Sequence, residues 1–174
     1  HQDGHSQVVA GTVPNLKSYD PAFAYELAVI IRDGIKRMYA DGEKIFYYLT
    51  LYNENYAMPA IPEGEKGFEI ETQIVNGMYR YQKDDKPTER KVHLLASGSI
   101  IQQAITAAEL LNKYNCAVDI WSVTSFNELY RDALAIERWN RINPQEPPRV
   151  SYLEQILNDE TGVFVGVSDY LKAN

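Results

Sequence analysis

The stretch from Lys91 to Val123 constrains the fold more than any other part of this chain, because each change of period inside it is visible. Lys91-Val-His-Leu-Leu-Ala96 is a short apolar run with strand character, and Ser97-Gly98-Ser99 interrupts it with a turn and a helix-capping residue type. From Ile100 to Tyr114 the apolar residues Ile101, Ala104, Ile105, Ala108 and Leu111 fall on one helical stripe, with Gln102, Gln103, Glu109 and Asn112 off it. Asn115 ends that helix, and Ala117-Val-Asp-Ile-Trp-Ser122 begins a second strand. Strand, helix and strand in this order make a βαβ unit, which belongs to a mostly parallel sheet with helices on its faces. The fold class expected is therefore α/β.

The remaining chain extends or leads into this unit. Val8 to Val13 is apolar but broken by Gly11 and followed by Pro14-Asn15, which reads as a loop with at most one short strand. Asp20-Pro21 has the form of a helix start, and the helix should run to about Tyr39. Phe23, Leu27, Ile30, Ile31, Ile35 and Met38 form its main stripe, and Ala24, Ala28 and Val29 widen it, so burial on more than one side is expected. Ile45 to Tyr52 is rich in β-branched and aromatic residues without polar alternation, the pattern of an interior strand. Pro59, Pro62, Gly64 and Gly67 then interrupt the pattern, dividing residues 1–55 from 68–174 with a linker at 56–67. Phe68 to Asn76 reads as a short helix, Met78 to Tyr81 as a strand, and Lys83 to Arg90 as a solvated turn. A helix from Phe126 to Asn140 should turn Leu129, Ala133, Ala135 and Ile136 inward. A stiff loop at Pro144 to Pro148, one or two helical turns at Tyr152 to Leu157 and a strand at Gly162 to Val167 complete the reading.

Composition excludes several classes. A formal charge of -7 and a pI near 5.0, with no basic cluster, argue against a general nucleic-acid binder. No apolar run reaches the roughly 18 residues that a membrane span needs. The single cysteine, Cys116, excludes an intramolecular disulfide or a cysteine-rich zinc site, and its place at a strand start reads as a buried structural thiol. Residue 1 is His, and the opening resembles neither a signal peptide nor a long tag, so the chain reads as part of a longer one.

Few residues carry evident chemistry. His1, Asp3 and His5 alternate as metal ligands can, though three such residues at a chain end lack a fourth ligand or a helix to fix them. The alternative is a loop in an active site, where an imidazole exchanges protons near neutral pH. Ser97-Gly98-Ser99 has the position of a phosphate-binding turn, yet lacks the GxGxxG and Walker lysine patterns, so a structural turn is the simpler reading. Asn53-Glu-Asn-Tyr56 follows a strand, where α/β sites gather, but would serve equally as a polar linker.

Several separated motifs, in order, resemble the homodimeric pyruvate dehydrogenase E1 component. They are His1-Gln-Asp-Gly-His-Ser6, Pro14-Asn15 through Ser18-Tyr-Asp-Pro-Ala-Phe-Ala-Tyr-Glu26, Asn53-Glu-Asn-Tyr-Ala-Met-Pro59, Leu94-Leu-Ala-Ser-Gly-Ser99 and Ser122-Val-Thr-Ser-Phe-Asn-Glu-Leu129. The resemblance covers the whole chain and implies the end of a pyrimidine-binding (middle) domain followed by the first part of a transketolase C-terminal-like domain. It implies a parent enzyme that uses thiamine diphosphate and Mg2+, decarboxylates pyruvate and passes the acetyl group to the lipoyl domain of the E2 acetyltransferase. A cytoplasmic homodimer is implied as well. The family's diphosphate and magnesium motif, and the glutamate that activates the aminopyrimidine, lie upstream of the part matched here. No cofactor is therefore expected on this chain alone. Of the family's active-site positions His1 matches the histidine facing cofactor and substrate, His5 matches a second motif histidine, and Gln7 stands where some relatives have another histidine. A transketolase acting on sugar phosphates and a non-catalytic interaction module kept for its fold are the alternatives.

Overall fold

The computed structural model describes residues 4–64 and 68–172 and places them on two sheets. The first part contains helix α1 (Ser6–Gly11), strand β1 (Leu16–Tyr19), helix α2 (Ala24–Ile35), which widens into a π turn at Lys36–Ala40, and strand β2 (Phe46–Leu49). β1 and β2 pair in parallel, Leu16 opposite Phe46 and Tyr19 opposite Leu49. After an extended segment come α3 (Ile70–Asn76), β3 (Tyr79–Gln82), β4 (Lys91–Ala96), α4 (Ile101–Asn112), β5 (Ala117–Ser122), α5 (Phe126–Ile142), α6 (Tyr152–Leu157) and β6 (Val163–Val167). The second sheet has the order β3-β5-β4-β6, with β4 parallel to both neighbours and β3 antiparallel to β5.

The βαβ unit expected from Lys91 to Val123 is β4, α4 and β5. Successive strand residues point to opposite faces. Leu94, Ala96, Val118 and Ile120 accordingly pack with Ile101, Ala104 and Ala108 of α4. Trp121 packs on the other face with Leu129, Tyr152 and Ile156 of α5 and α6, and Leu95 joins it there. Because both faces are covered, these strands read as continuous apolar runs. A third cluster joins the two sheets, with Tyr19, Val29 and Ile30 packed on Ile74 and Tyr79.

Several local expectations are corrected. Val8 to Val13 is not a loop or strand: Ser6–Gly11 is helical, with Gln7 and Ala10 buried one turn apart. Asp20-Pro21 does not start α2, which begins at Ala24, and the free amides of Ala22 and Phe23 are taken by the Glu26 carboxylate. α2 is buried on one face only, through Glu26, Val29, Ile30 and Gly34, whereas Ile31, Ile35 and Tyr39 are 43%, 55% and 82% exposed. Among the described residues β2 pairs with β1 alone, so it is an edge rather than an interior strand, and Phe46 is 47% exposed. The turn at Lys83 to Arg90 is tied down by Asp84, which accepts from the amides of Val118 (3.1 Å) and Lys86 (3.0 Å). Cys116 is half-buried, and Ala135 faces outward on α5. No serine side chain caps the turn before α4.

Candidate functional site

Parallel strands in an α/β protein direct their carboxyl ends to one edge, where the following loops build sites. Here four such ends meet around one carboxylate. Asp20 follows β1, Thr50 and Tyr52 follow β2, Ser97 and Gly98 follow β4, and Ser168 and Tyr170 follow β6. Asp20 is buried, and its Oδ1 accepts from the hydroxyls of Thr50 (2.5 Å) and Tyr52 (2.8 Å). Its backbone carbonyl accepts from the Gly98 amide at 3.1 Å. Gly98 has φ +54°, and a Cβ there would lie 2.6 Å from the Tyr52 ring and 2.8 Å from Asp20 Oδ2, so only glycine fits this contact between the two sheets. Ser97 Oγ donates to Ser168 Oγ at 3.3 Å, and the Leu171 amide donates to the Gly4 carbonyl at 3.1 Å, bringing the last described residues against the first.

A groove of about 880 Å³ opens beside this meeting point, with Gly4, His5, Tyr48, Tyr52, Glu54 and Tyr170 in its wall. Asp169 also lines it, and among the described residues no Lys or Arg does. Burial raises the Asp20 carboxyl above the usual range, opposed by the hydroxyls of Thr50 and Tyr52 and reinforced by Asp169. Burial and then the Asp20 charge raise the Tyr52 phenol, which therefore acts as a hydrogen-bond donor. Among the described residues the groove wall carries one imidazole, that of His5.

Of the residues singled out in the sequence, His5 is exposed, immediately precedes α1 and lines the groove. His1 and Asp3 lie outside the described residues, so the alternating His1, Asp3, His5 set is not placed as a whole. Gln7 is buried, with Nε2 donating to the Tyr19 carbonyl (3.4 Å) and to Thr50 Oγ1 (3.3 Å), one bond away from Asp20. Ser97, Gly98 and Ser99 are buried, Gly98 against the Asp20 carboxylate, and form a structural turn, closed to phosphate. In the Asn53 to Tyr56 run, Glu54 reaches the groove, and Tyr56 packs edge-on to Phe23 and donates to the Ala22 carbonyl. Cys116 lies at the start of β5, outside the groove lining.

Two buried acidic centres were not legible in the sequence. Glu26, fully buried, accepts from Tyr79 Oη and Ser122 Oγ, both at 2.6 Å, as well as from the amides of Ala22 and Phe23. His93, Asp119 and Glu160 offer atoms within 4.8 Å of one another, the spacing of a metal triad. Their atoms are already engaged. Asp119 Oδ2 pairs with Arg80 at 2.9 Å, its Oδ1 takes Lys91 and the Asp84 amide, and Glu160 pairs with Arg80. His93 Nδ1 accepts from the Trp121 indole (3.2 Å), and Nε2 donates to the Thr161 carbonyl (3.1 Å). Two buried or partly buried cations already balance the two carboxylates, so the cluster is a structural ion network.

The same architecture occurs in solved transketolases. One from Pichia stipitis superposes with a TM-score of 0.62 at 16% identity, covering 97% of this chain and 21% of that one. One from Campylobacter jejuni gives 0.57 at 21% identity, covering 92% and 20%. A model of the transketolase-like C-terminal domain matches residues 77–174, and one of the pyruvate dehydrogenase E1 component middle domain matches residues 1–59. The chain belongs to the transketolase-like family. Within it the chain is homologous to the pyruvate dehydrogenase E1 component. The protein of that name from Pseudomonas aeruginosa is 47% identical over 173 residues, and that from Escherichia coli K12 is 48% identical over 174 residues. Each comparison covers 99% of this chain, which spans about 19% of the relatives' length.

Proposed function

We propose that this chain forms part of an enzyme that oxidatively decarboxylates pyruvate and passes the acetyl group to the lipoyl domain of an E2 acetyltransferase. Identity of 47–48% across 99% of the chain carries this reading. The enzyme would use thiamine diphosphate with Mg2+ and work as a cytoplasmic homodimer. Residues 1–55 would close the pyrimidine-binding domain, 56–67 link, and 68–174 open the transketolase C-terminal-like domain. His1 would exchange a proton or donate a hydrogen bond at the substrate, and His5 lines the groove. Among the described residues no helix is long and apolar enough to cross a membrane. The transketolase structures share only the fold at 16–21% identity and do not favour sugar-phosphate chemistry.

The described residues do not by themselves fit thiamine diphosphate and Mg2+. The one turn placed like a phosphate cradle is closed by Asp20, and the one metal-like triad is filled by Arg80 and Lys91. Among the described residues the groove also has two carboxylates and no Lys or Arg to meet pyruvate, an anion. Titration calorimetry of the chain with thiamine diphosphate and Mg2+ should give no micromolar binding, and the chain alone should not turn pyruvate over. Micromolar binding would show that an anchor exists within it.

The exposed Ile31, Ile35 and Tyr39 stripe, with the open edge of β2, is apolar surface of the kind that marks an interface. Sedimentation across a concentration series should show a dimer or larger species. A monomer throughout would mean that this face is stable in water.

A further inference from the structure

We infer that Arg131 is a positioning residue for the groove, fixing α1 and thereby His5; the inference rests on the reading of the groove as part of the pyruvate site. α1 has six residues, far below the length at which a helix holds itself together in water. What holds it comes from α5, more than a hundred residues later. Arg131 Nη2 donates to the carbonyls of Val13 (2.7 Å), Gly11 (3.3 Å) and Ala10 (3.5 Å), and Nη1 donates to the Leu16 carbonyl. The guanidinium thus gathers the free carbonyls at and beyond the carboxyl end of α1, where a cation is also favoured by the helix dipole. Glu128 orients it, accepting from Nη1 at 3.0 Å while pairing with Lys17.

One turn earlier on α5, Asn127 Nδ2 donates to the Gln7 carbonyl (2.8 Å) and to Ser18 Oγ (2.7 Å). Its Oδ1 lies so close to Gly11 that a Cβ there would approach to 2.7 Å. Asn127 and Arg131 therefore grip both the body and the carboxyl end of α1. His5 immediately precedes this helix and lines the groove, so its position follows the helix as a rigid body. A planar fork of donors can serve several carbonyls together, and a lysine cannot reproduce it.

The three histidines allow a test on the intact chain by side-chain NMR with hydrogen exchange. Arg131→Ala and Arg131→Lys should both shift the His5 ring resonances and lower α1 amide protection about tenfold to a hundredfold, the scale of losing charge-assisted hydrogen bonds. His93, bonded to Trp121 and stacked on Phe164, should not move. Unchanged His5 and α1 signals with His93 intact would overturn the inference. Should Arg131→Ala disturb His93 as well, Asn127→Ala replaces it and must move His5 alone. In a full-length E1 component carrying this segment, Arg131→Ala should lower kcat at least about tenfold with little change in KM, as misplacement of a site group does. Unchanged kcat there, with His1→Ala still damaging, overturns the positioning role. Unchanged turnover in both variants overturns the pyruvate-site reading and the inference with it.

Discussion

Glu26→Ala should destabilise the chain by about 3 kcal/mol or more, because each buried donor left without an acceptor costs about 1–3 kcal/mol. The substitution leaves the Ser122 hydroxyl and the amides of Ala22 and Phe23 without the oxygens they use, while the Tyr79 hydroxyl keeps its contact with Tyr25. It also removes a side chain that joins the start of α2 to both β3 and β5. Against a total stability of about 5–15 kcal/mol for a domain, a loss of this size is severe. Urea unfolding followed by tryptophan fluorescence measures it, and a change below about 1 kcal/mol would mean that water enters and satisfies the site.

The same carboxyl sets a pH dependence. Burial raises its folded value, opposed by the hydrogen bonds of Ser122, Tyr79 and the Phe23 and Ala22 amides, so between the unfolded and the folded value the folded chain holds a proton that the unfolded chain has released. Stability is then greatest below the unfolded carboxylate range and falls as pH rises through the interval up to the raised folded value. Asp20 is shifted in the same direction, also chiefly by burial. Glu26→Gln should flatten this slope, and an unchanged slope would assign it to other groups.

The second large effect concerns His1. In a full-length enzyme carrying this segment, His1→Ala should lower pyruvate turnover by about 10²-fold to 10⁴-fold, the usual cost of losing a general acid or base. The proposed role of His1 rests on the resemblance of its motif to the family's, and the neighbouring motif histidine, His5, lines the groove at the carboxyl ends of the parallel strands. Far-UV circular dichroism and the melting temperature should be unchanged, which separates lost chemistry from lost fold. Turnover equal to the parent's would make His1 a structural residue.

What could be read from the sequence divides by the range of the forces involved. β4, α4 and β5 were legible because Leu94, Ile101, Val118 and Ile120 meet within one local period and pack on one another. α1 was not, since the groups that hold it, Asn127 and Arg131, lie 120 and 118–121 residues away. Asp20 before a proline has the local form of a helix cap, but its carboxylate bonds Thr50 and Tyr52, 30 and 32 residues on, and Glu26 takes the capping role. The apolar circumference of α2 has the pattern of burial on several sides, yet Ile31 and Ile35 on one face of it have no covering neighbour among the described residues. Of the groove, the family motif contains His5, and the Asn53 to Tyr56 run, equally legible as a polar linker, contains Glu54. Asp169 and Tyr170 gave no local signal, because only the return of the chain after β6 brings them to Gly4 and Tyr52.

Exchange of the matching segment of the Pseudomonas aeruginosa E1 component for this chain tests the proposed role most directly. With thiamine diphosphate, Mg2+, pyruvate and a lipoyl acceptor, the chimera should transfer acetyl groups within about tenfold of the parent rate, a barrier change of about 1.4 kcal/mol. A folded, cofactor-loaded chimera with no acetyl transfer would contradict the assignment of this chain to a pyruvate-decarboxylating enzyme.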